Sequence, residues 1–193
     1  MTVAVLSIGS NLGDRADQVR AAVADLGTAA GRLVAVSSGY QTPAWGDGDQ
    51  PDYLNAVVIV ADRGDDPYHW LRAAGRIERR LGRVRDPDRR FGPRTVDVDV
   101  VTVTAAAGTP VTSDAADLTL PHPRAHLRAF VLVPWLEIDP LAVLPGHGRV
   151  VDLVRVAPVV GDVASLRRCH DLVLAPDGGR PGPDRSDPPT GGV

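Results

Sequence analysis

An α+β sandwich with its elements in the order βαββαβ is predicted by three features of the sequence. Four short runs rich in β-branched residues, at 3–8, 32–38, 53–61 and 96–103, read as strands. Two longer segments, 14–26 and 66–81, carry apolar residues at helical spacing behind clear start signals. These helical segments follow the first and third strand runs, and that alternation sets the order. At 193 residues the chain is long enough to bury one sizeable core, so a single domain is expected over 1–175.

The first run, Val3 to Ile8, is apolar enough to be buried on both faces, and Gly9-Ser-Asn-Leu-Gly13 then turns the chain. That turn lacks a Gly-x-Gly-x-x-Gly pattern, so it reads as structural rather than as a phosphate cradle. Asp14 is placed to cap a helix whose buried stripe is Val19, Ala22, Val23 and Leu26. After a strand over 32–38, residues 39–52 read as a polar loop containing Thr42, Pro43 and Trp45. A tryptophan in such a loop either packs as a lid or stacks on a flat ligand. The strand at 53–61 puts Tyr53 and Asn55 on one face at its start, where an amide can read a heterocycle edge or cap a turn. Asp66-Pro67 starts the second helix, with Trp70, Ala74, Ile77 and Leu81 inward, arginines outward, and Gly82 at its end.

The segment 83–103 carries the chemistry. Its loop holds Arg83, Arg85, Arg89, Arg90 and Arg94, with Pro87, Gly92 and Pro93 blocking helix. In the strand that follows, Val96, Val98 and Val100 share one face while Asp97 and Asp99 share the other. Carboxylates at i and i+2 stand roughly 7 Å apart at Cα, near enough to converge on divalent ions bridging phosphate oxygens. Neighbouring guanidiniums match phosphate geometry bidentately. A solvated strand face beside a basic loop is the plainer reading of Asp-x-Asp alone. Five arginines adjoining it and valines that demand burial favour a polyphosphate site. Read from the strand alone, the two aspartates are unpaired like charges, so removing either is expected to leave the ligand-free fold at least as stable.

Beyond the strand, 104–117 reads as a surface excursion, 129–140 as a short packed helix, and 149–172 as brief helical and strand segments. His122 and His126 lie four apart, but flanking prolines and the lack of further ligands argue against zinc. From Pro176 the chain is Pro, Gly, Asp, Arg and Ser with almost nothing apolar, so 176–193 is expected to be a disordered tail. The whole is a ferredoxin-like sandwich with an added C-terminal helical part.

Net charge is −3, which argues against general nucleic-acid or anionic-membrane binding, although nine arginines between 72 and 94 make a local positive field suited to a compact anion. Every basic residue counted with lysine is an arginine, which excludes Walker A and Schiff-base chemistry. The single cysteine, Cys169, and the lack of an apolar run of 18 fit a cytoplasmic protein.

Four stretches in the right order resemble the 6-hydroxymethyl-7,8-dihydropterin pyrophosphokinase family. They are Ile8 to Asp14, Tyr40-Gln-Thr-Pro43 through Gln50-Pro-Asp-Tyr-Leu-Asn55, Gly92-Pro-Arg-Thr-Val-Asp-Val-Asp99, and Leu120-Pro-His-Pro-Arg124 through Arg128-Ala-Phe-Val-Leu-Val-Pro134. The resemblance spans about 2–155 and implies transfer of pyrophosphate from MgATP to the pterin hydroxymethyl group, releasing AMP. It implies two magnesium ions on Asp97 and Asp99. Nucleotide contacts would come from Glu78, Arg83, Arg85, Arg90, Arg94, Thr119, His122 and Arg128. The pterin would meet Thr42, Pro43, Trp45, Tyr53, Asn55, Phe91 and Phe130. Arg85, Arg94 and Asp97 stand as catalytic, Asp97 also as a candidate acceptor of the hydroxyl proton. A monomer acting on small molecules is implied. Two alternatives remain at this point: a pyrophosphokinase or kinase with another flat acceptor, such as a thiamine-like alcohol, and a non-catalytic ferredoxin-like module that binds a ligand or RNA. A regulatory ligand-binding module has no need of Asp97 and Asp99 beside five arginines. An RNA-binding one needs stacking aromatics, and only 4% of residues are aromatic.

Deleting residues 176–193 is expected to leave melting temperature and turnover nearly unchanged, since that segment has almost no apolar residues to dock. A large fall in either for the truncated chain would contradict this.

Overall fold

The computed structural model describes residues 1–44, 50–64, 66–84 and 92–175. Trp45, Arg85, Arg90, Phe91 and the segment 176–193 therefore lie outside the described residues. The elements are β1 (Thr2–Ser10), α1 (Arg15–Asp25), β2 (Arg32–Val36), β3 (Gly39–Thr42), β4 (Tyr53–Asp62), α2 (Tyr68–Arg80) and β5 (Asp97–Thr104). They continue with β6 (Pro110–Val111), β7 (Ser113–Asp114), β8 (Thr119–Leu120), α3 (Ala129–Ile138), β9 (Val143–Leu144) and β10 (Gly148–Arg149). Two short helices, α4 (Val150–Leu153) and α5 (Val159–Val163), precede β11 (Arg167–Cys169).

The main sheet is antiparallel, in the order β11-β3-β4-β1-β5-β6, with β2 also paired to β4. The expected strand at 32–38 divides. β2 runs beside Val58–Ala61 of β4, and β3 beside Tyr53–Asn55 of the same strand. At the break Ser37 donates its N–H to the Val57 carbonyl and accepts the Val57 N–H on its hydroxyl, both at 2.9 Å, so a side chain replaces a rung of the ladder. Residues 39–42, read from sequence as loop, are thus the paired strand β3. The C-terminal part is also not purely helical, because β11 returns to pair with β3.

Asp14 caps α1 as expected, accepting the Asp17 N–H at 3.0 Å. Asp66 accepts the Tyr68 N–H at 2.9 Å at the start of α2, and Gly82, at φ 76°, turns the chain beyond its end. Both helices pack on one sheet face, where Val19, Val23, Trp70 and Ile77 meet Leu6, Ile8, Val58, Val98 and Val100. The opposite face carries Val5, Val57 and Val101, covered by Leu132 and Trp135 of α3 with Val150 and Val159. Alternation in β5 holds through Val100. Val5 then pairs with Thr102 and Leu6 with Val100, and this bulge brings Val103 onto the α1/α2 side. Among the described residues no helix is long and apolar enough to cross a membrane.

Trp70 is fully buried and donates from Nε1 to Thr2 Oγ1 at 3.2 Å. Trp70→Ala should lower unfolding free energy by about 3–5 kcal/mol, the range for losing a large buried aromatic. Urea unfolding measures this, and a loss below about 1 kcal/mol would mean that the core closes over the gap.

Candidate active site

The site exists because one sheet face is only partly covered. Where α3 stops, Ser7 and Gly9 of β1, Asn55 of β4, and Asp97 and Asp99 of β5 open into a recess. Register sets them abreast: Asn55 lies opposite Gly9, Gly9 opposite Asp97, and Ser7 opposite Asp99. Asn55 and Asp97 are thus two strand spacings apart, about 10 Å. Gly9 must lack a side chain, because a Cβ there would stand 2.9 Å from Asn55 Oδ1 and 3.6 Å from Tyr53 Cδ1. Thr42, Pro43, Tyr53 and Phe130 form the recess walls.

A larger cleft lies on the other side of the two aspartates. Glu78 and Arg83 line it from the α2 end, and Thr119, His122, Arg124 and Arg128 from the opposite bank. Leu71, Val100 and Leu118 give it an apolar wall. Arg94, Asp97, Asp99 and Arg128 belong to both spaces, so the carboxylates stand at the junction.

The electrostatics there depend on pairing. Asp97 accepts hydrogen bonds from Arg83 and, at 2.5 Å, from Arg94 Nη1. Asp99 Oδ2 accepts from Arg128 Nη1 at 3.0 Å, with His122 Nε2 at 3.8 Å. Glu78, 5% exposed, accepts from Arg83 and from the Val98 N–H at 3.0 Å. Burial pushes the Asp97 carboxyl up, but Arg83 and Arg94 outweigh it and hold it below the usual carboxylate range. Burial lowers the His122 imidazole and outweighs the pull of Asp99, so the ring is neutral at neutral pH. Its Nδ1 accepts the Arg124 N–H at 3.1 Å, which leaves the proton on Nε2, toward Asp99. The expectation that Asp97 and Asp99 are unpaired is therefore overturned. Their partners come from other segments, which a strand-local reading does not see.

In the recess, Asn55 Nδ2 donates to Thr42 Oγ1 at 2.9 Å, fixing the amide's orientation across two strands. Burial raises the Tyr53 phenol above its ordinary value. The Arg128 guanidinium lies 5.5 Å from the Phe130 ring centre, within cation–π range. Of the residues expected at a pterin, Thr42, Pro43, Tyr53, Asn55 and Phe130 come together here. Of those expected at a nucleotide, Glu78, Arg83, Arg94, Thr119, His122 and Arg128 line the cleft. Glu78 does so with its carboxylate turned to Val98 and Arg83.

Several contributors escaped the sequence reading. Ser7, Gly9 and Arg124 line the two spaces. Asn11, 2% exposed, ties three segments together. It donates its N–H to the Arg94 carbonyl at 3.2 Å, accepts the Arg94 N–H at 2.8 Å, and donates from Nδ2 to Gln50 Oε1 at 3.1 Å. An asparagine in a glycine-bounded turn was the available signal, and it fits a turn residue equally well.

Residues 5–140 match the family model described as 7,8-dihydro-6-hydroxymethylpterin-pyrophosphokinase (HPPK). The chain is similar to the 2-amino-4-hydroxy-6-hydroxymethyldihydropteridine pyrophosphokinase of Mycobacterium tuberculosis, 47% identical over 152 residues, covering 77% of this chain and 78% of that protein. It is 49% identical over 154 residues to the protein of the same name from Mycobacterium leprae, with the same coverage of 77% and 78%. Among solved structures it resembles a triple mutant of Plasmodium falciparum HPPK-DHPS crystallised with pteroate, at TM-score 0.62 and 12% identity, covering 86% of this chain. The chain spans 46% of that protein's length, and at such identity the likeness concerns the fold alone.

Because Asp97 is paired, Asp97→Asn should lower the unfolding free energy of the ligand-free protein by about 1–3 kcal/mol. The folded carboxyl titrates below its ordinary value, so this contribution is present above the unfolded pKa of about 3.9 and fades as pH falls through the folded one. Urea unfolding at neutral and acid pH should show the two proteins diverging at the former and converging at the latter. A variant as stable as its parent at neutral pH would restore the unpaired reading.

Proposed function

We propose a division of labour between the two spaces that proceeds from one premise: the chain belongs to the 7,8-dihydro-6-hydroxymethylpterin-pyrophosphokinase family. It is an ATP-dependent pyrophosphokinase that transfers pyrophosphate to hydroxymethyldihydropterin in folate biosynthesis. The recess takes the pterin, its ring between Phe130 and Tyr53 and its polar edge read by Asn55 and the Thr42–Pro43 segment; the sequence resemblance assigns Trp45 and Phe91, which lie outside the described residues, to the same ligand. The cleft takes ATP, its base against the apolar wall and its phosphates toward Arg83, Arg94, Arg128 and His122, with Thr119 and Glu78 on the banks; the sequence resemblance assigns Arg85 and Arg90, which lie outside the described residues, to the same phosphates. The observation that carries this reading is the position of Asp97 and Asp99, shared by a recess with an aromatic wall and an arginine-lined cleft. A hydroxymethyl group held in the one meets the β-phosphorus of a nucleotide held in the other. Oxygen–phosphorus bond formation there and cleavage of the α–β bridge release AMP.

The two carboxylates fit magnesium. Their oxygens are hard donors facing the junction, and among the described residues no group of three or more His, Cys, Asp or Glu could cage an ion. A pair of carboxylates completed by phosphate oxygens and water suits magnesium better than a full protein cage does. Two ions, on Asp97 and Asp99, are proposed; when bound they supply neutralisation of phosphate charge. Arg94 and Arg83 hold Asp97 ionised, ready to act as a ligand, and make it a poor proton acceptor. Arg94, fixed through its backbone to Asn11, can exchange its hold on Asp97 for a phosphate oxygen without moving its main chain.

The strand order β5-β1-β4-β2, with α1 and α2 on one face, supports a ferredoxin-like sandwich as the scaffold. We place the reaction in the cytoplasm, in keeping with the free thiol of Cys169, with the monomer as the working unit. Residues 1–175 form the proposed catalytic domain, and 176–193 a dispensable tail.

Incubation with ATP, magnesium and the reduced pterin alcohol should yield AMP; release of ADP instead would mean transfer of a single phosphoryl group. Arg94→Ala should lower kcat by about 10²–10³-fold with a smaller rise in KM for ATP, as expected for a donor that engages developing charge. A change confined to that KM would make Arg94 a ground-state anchor only.

A further inference from the structure

The two walls of the acceptor recess stand on different elements. β3 and the residue after it supply Thr42 and Pro43, while α3 supplies Phe130. Glu137, at the far end of α3, has no part in the chemistry described above. Its side chain is 20% exposed and gathers donors from two strands. The Ser38 N–H reaches Oε2 at 3.0 Å and the Ser38 hydroxyl reaches Oε1 at 2.8 Å. The Tyr40 hydroxyl donates to Oε2 at 3.1 Å, and Arg168 Nη2 to Oε1 at 2.5 Å. Arg168 also donates from Nε to the Ser38 hydroxyl at 3.0 Å, so β11 closes the network over β3.

A helix does not favour this placement. A carboxylate in the last turn of α3 faces the negative end of the helix dipole. Largely removed from water, it would be costly without its four donors. Burial and the adjacent Glu137 hold the Tyr40 phenol up at about 12, so it remains a donor throughout the physiological range. Tyr40 lies in register with Asn55, and two residues along the same strand face Thr42 lies opposite Tyr53. Glu137 thus grips Tyr40 of β3 and Ser38 just ahead of it, and β3 is the strand that presents Thr42 to the recess and to the Asn55 amide.

We propose that Glu137, with Arg168 as its charge partner, is a positioning residue for the acceptor: it sets the separation between the Phe130 wall on α3 and the Thr42–Pro43 wall on β3. This rests on the reading of the recess as the pterin site. The nucleotide cleft is built from α2, β5 and the segments around Thr119 and Arg128, and none of the clasp residues lines it. Loosening the clasp should thus widen the slot for the flat ring and leave the nucleotide side intact.

Steady-state kinetics with each substrate varied, together with fluorescence titration of the reduced pterin alcohol, test this in the full chain. Glu137→Ala and Arg168→Ala should raise KM for the pterin alcohol by about tenfold, the scale expected from a sub-ångström misplacement, with KM for ATP changed by less than about twofold. Glu137→Gln, which keeps one acceptor oxygen for the Tyr40 hydroxyl and the Ser38 N–H but loses the charge pair with Arg168, should recover only part of the loss. Should Glu137→Ala fail to fold, Tyr40→Phe removes a single hydroxyl from the clasp and should still raise the pterin KM selectively. A lower melting temperature with both Michaelis constants unchanged, or with both raised equally, would overturn the positioning role while leaving the pyrophosphokinase reading in place. A parent protein that neither binds the pterin alcohol nor releases AMP would overturn the reading of the recess, and the proposal with it.

Discussion

The structure turns on holding two carboxylates side by side at the edge of a core. At roughly 7 Å and an effective dielectric near 20, two like charges repel by about 2 kcal/mol, and burial makes each costlier still. Asp97 and Asp99 are tolerated because guanidiniums reach them from three segments: Arg83 beyond α2, Arg94 ahead of β5, and Arg128 ahead of α3. With Glu78, these described pairs set three carboxylates against three guanidiniums. In the reading proposed above, phosphates entering the cleft exchange partners with guanidiniums already in place, so little reorganisation is needed at the moment of transfer. The same contacts join α2, β5 and α3, which makes the catalytic charges part of what holds the elements in register.

Much of this was legible in the sequence because it is written in short periods. Alternating valine and aspartate fix which face of β5 carries the carboxylates, and Val98 and Val100 do pack against α1 and α2. The Asp14 and Asp66 caps and the Gly82 turn are likewise local chemistry. What escaped depends on partners far along the chain. β3 has four residues, Gly39–Thr42, two of them polar, and nothing in so short a stretch marks it as paired until β4 is alongside. The β5 bulge is invisible because a run of valines and threonines reads alike in either phase.

The aspartates show the limit of local reasoning most plainly. A strand pattern states that two carboxylates share a face and says nothing of their counter-ions. Only the fold brings Arg83 and Arg128 to them, from 14 and 29 residues away. The family resemblance gathered those arginines by motif, as ligands for phosphate, and so did not reveal that in the free protein they pair with the two aspartates. Asn11 has the same character, since its worth lies in joining Arg94 to Gln50 across the mouth of the site.

The position of the site follows from an asymmetry of coverage. One sheet face is sealed along its length by α1 and α2, as the unbroken set Ala4, Leu6, Ile8, Ala56, Val58 and Val60 requires. The other face changes character partway along each strand: Val5 gives way to Ser7 and Gly9, Val57 to Asn55 and Tyr53, and Val101 to Asp99 and Asp97. α3 covers the apolar half through Leu132 and Trp135 and stops where the polar half begins. Its first turn then becomes a wall of the recess, through Phe130, and its last turn grips β3, through Glu137. One ten-residue helix thus seals a core, bounds the recess at one end and grips β3 at the other. Its packing and the shape of the recess are consequently linked, whereas the cleft beside α2 and β5 meets the recess at Arg94, Arg128 and the shared aspartates.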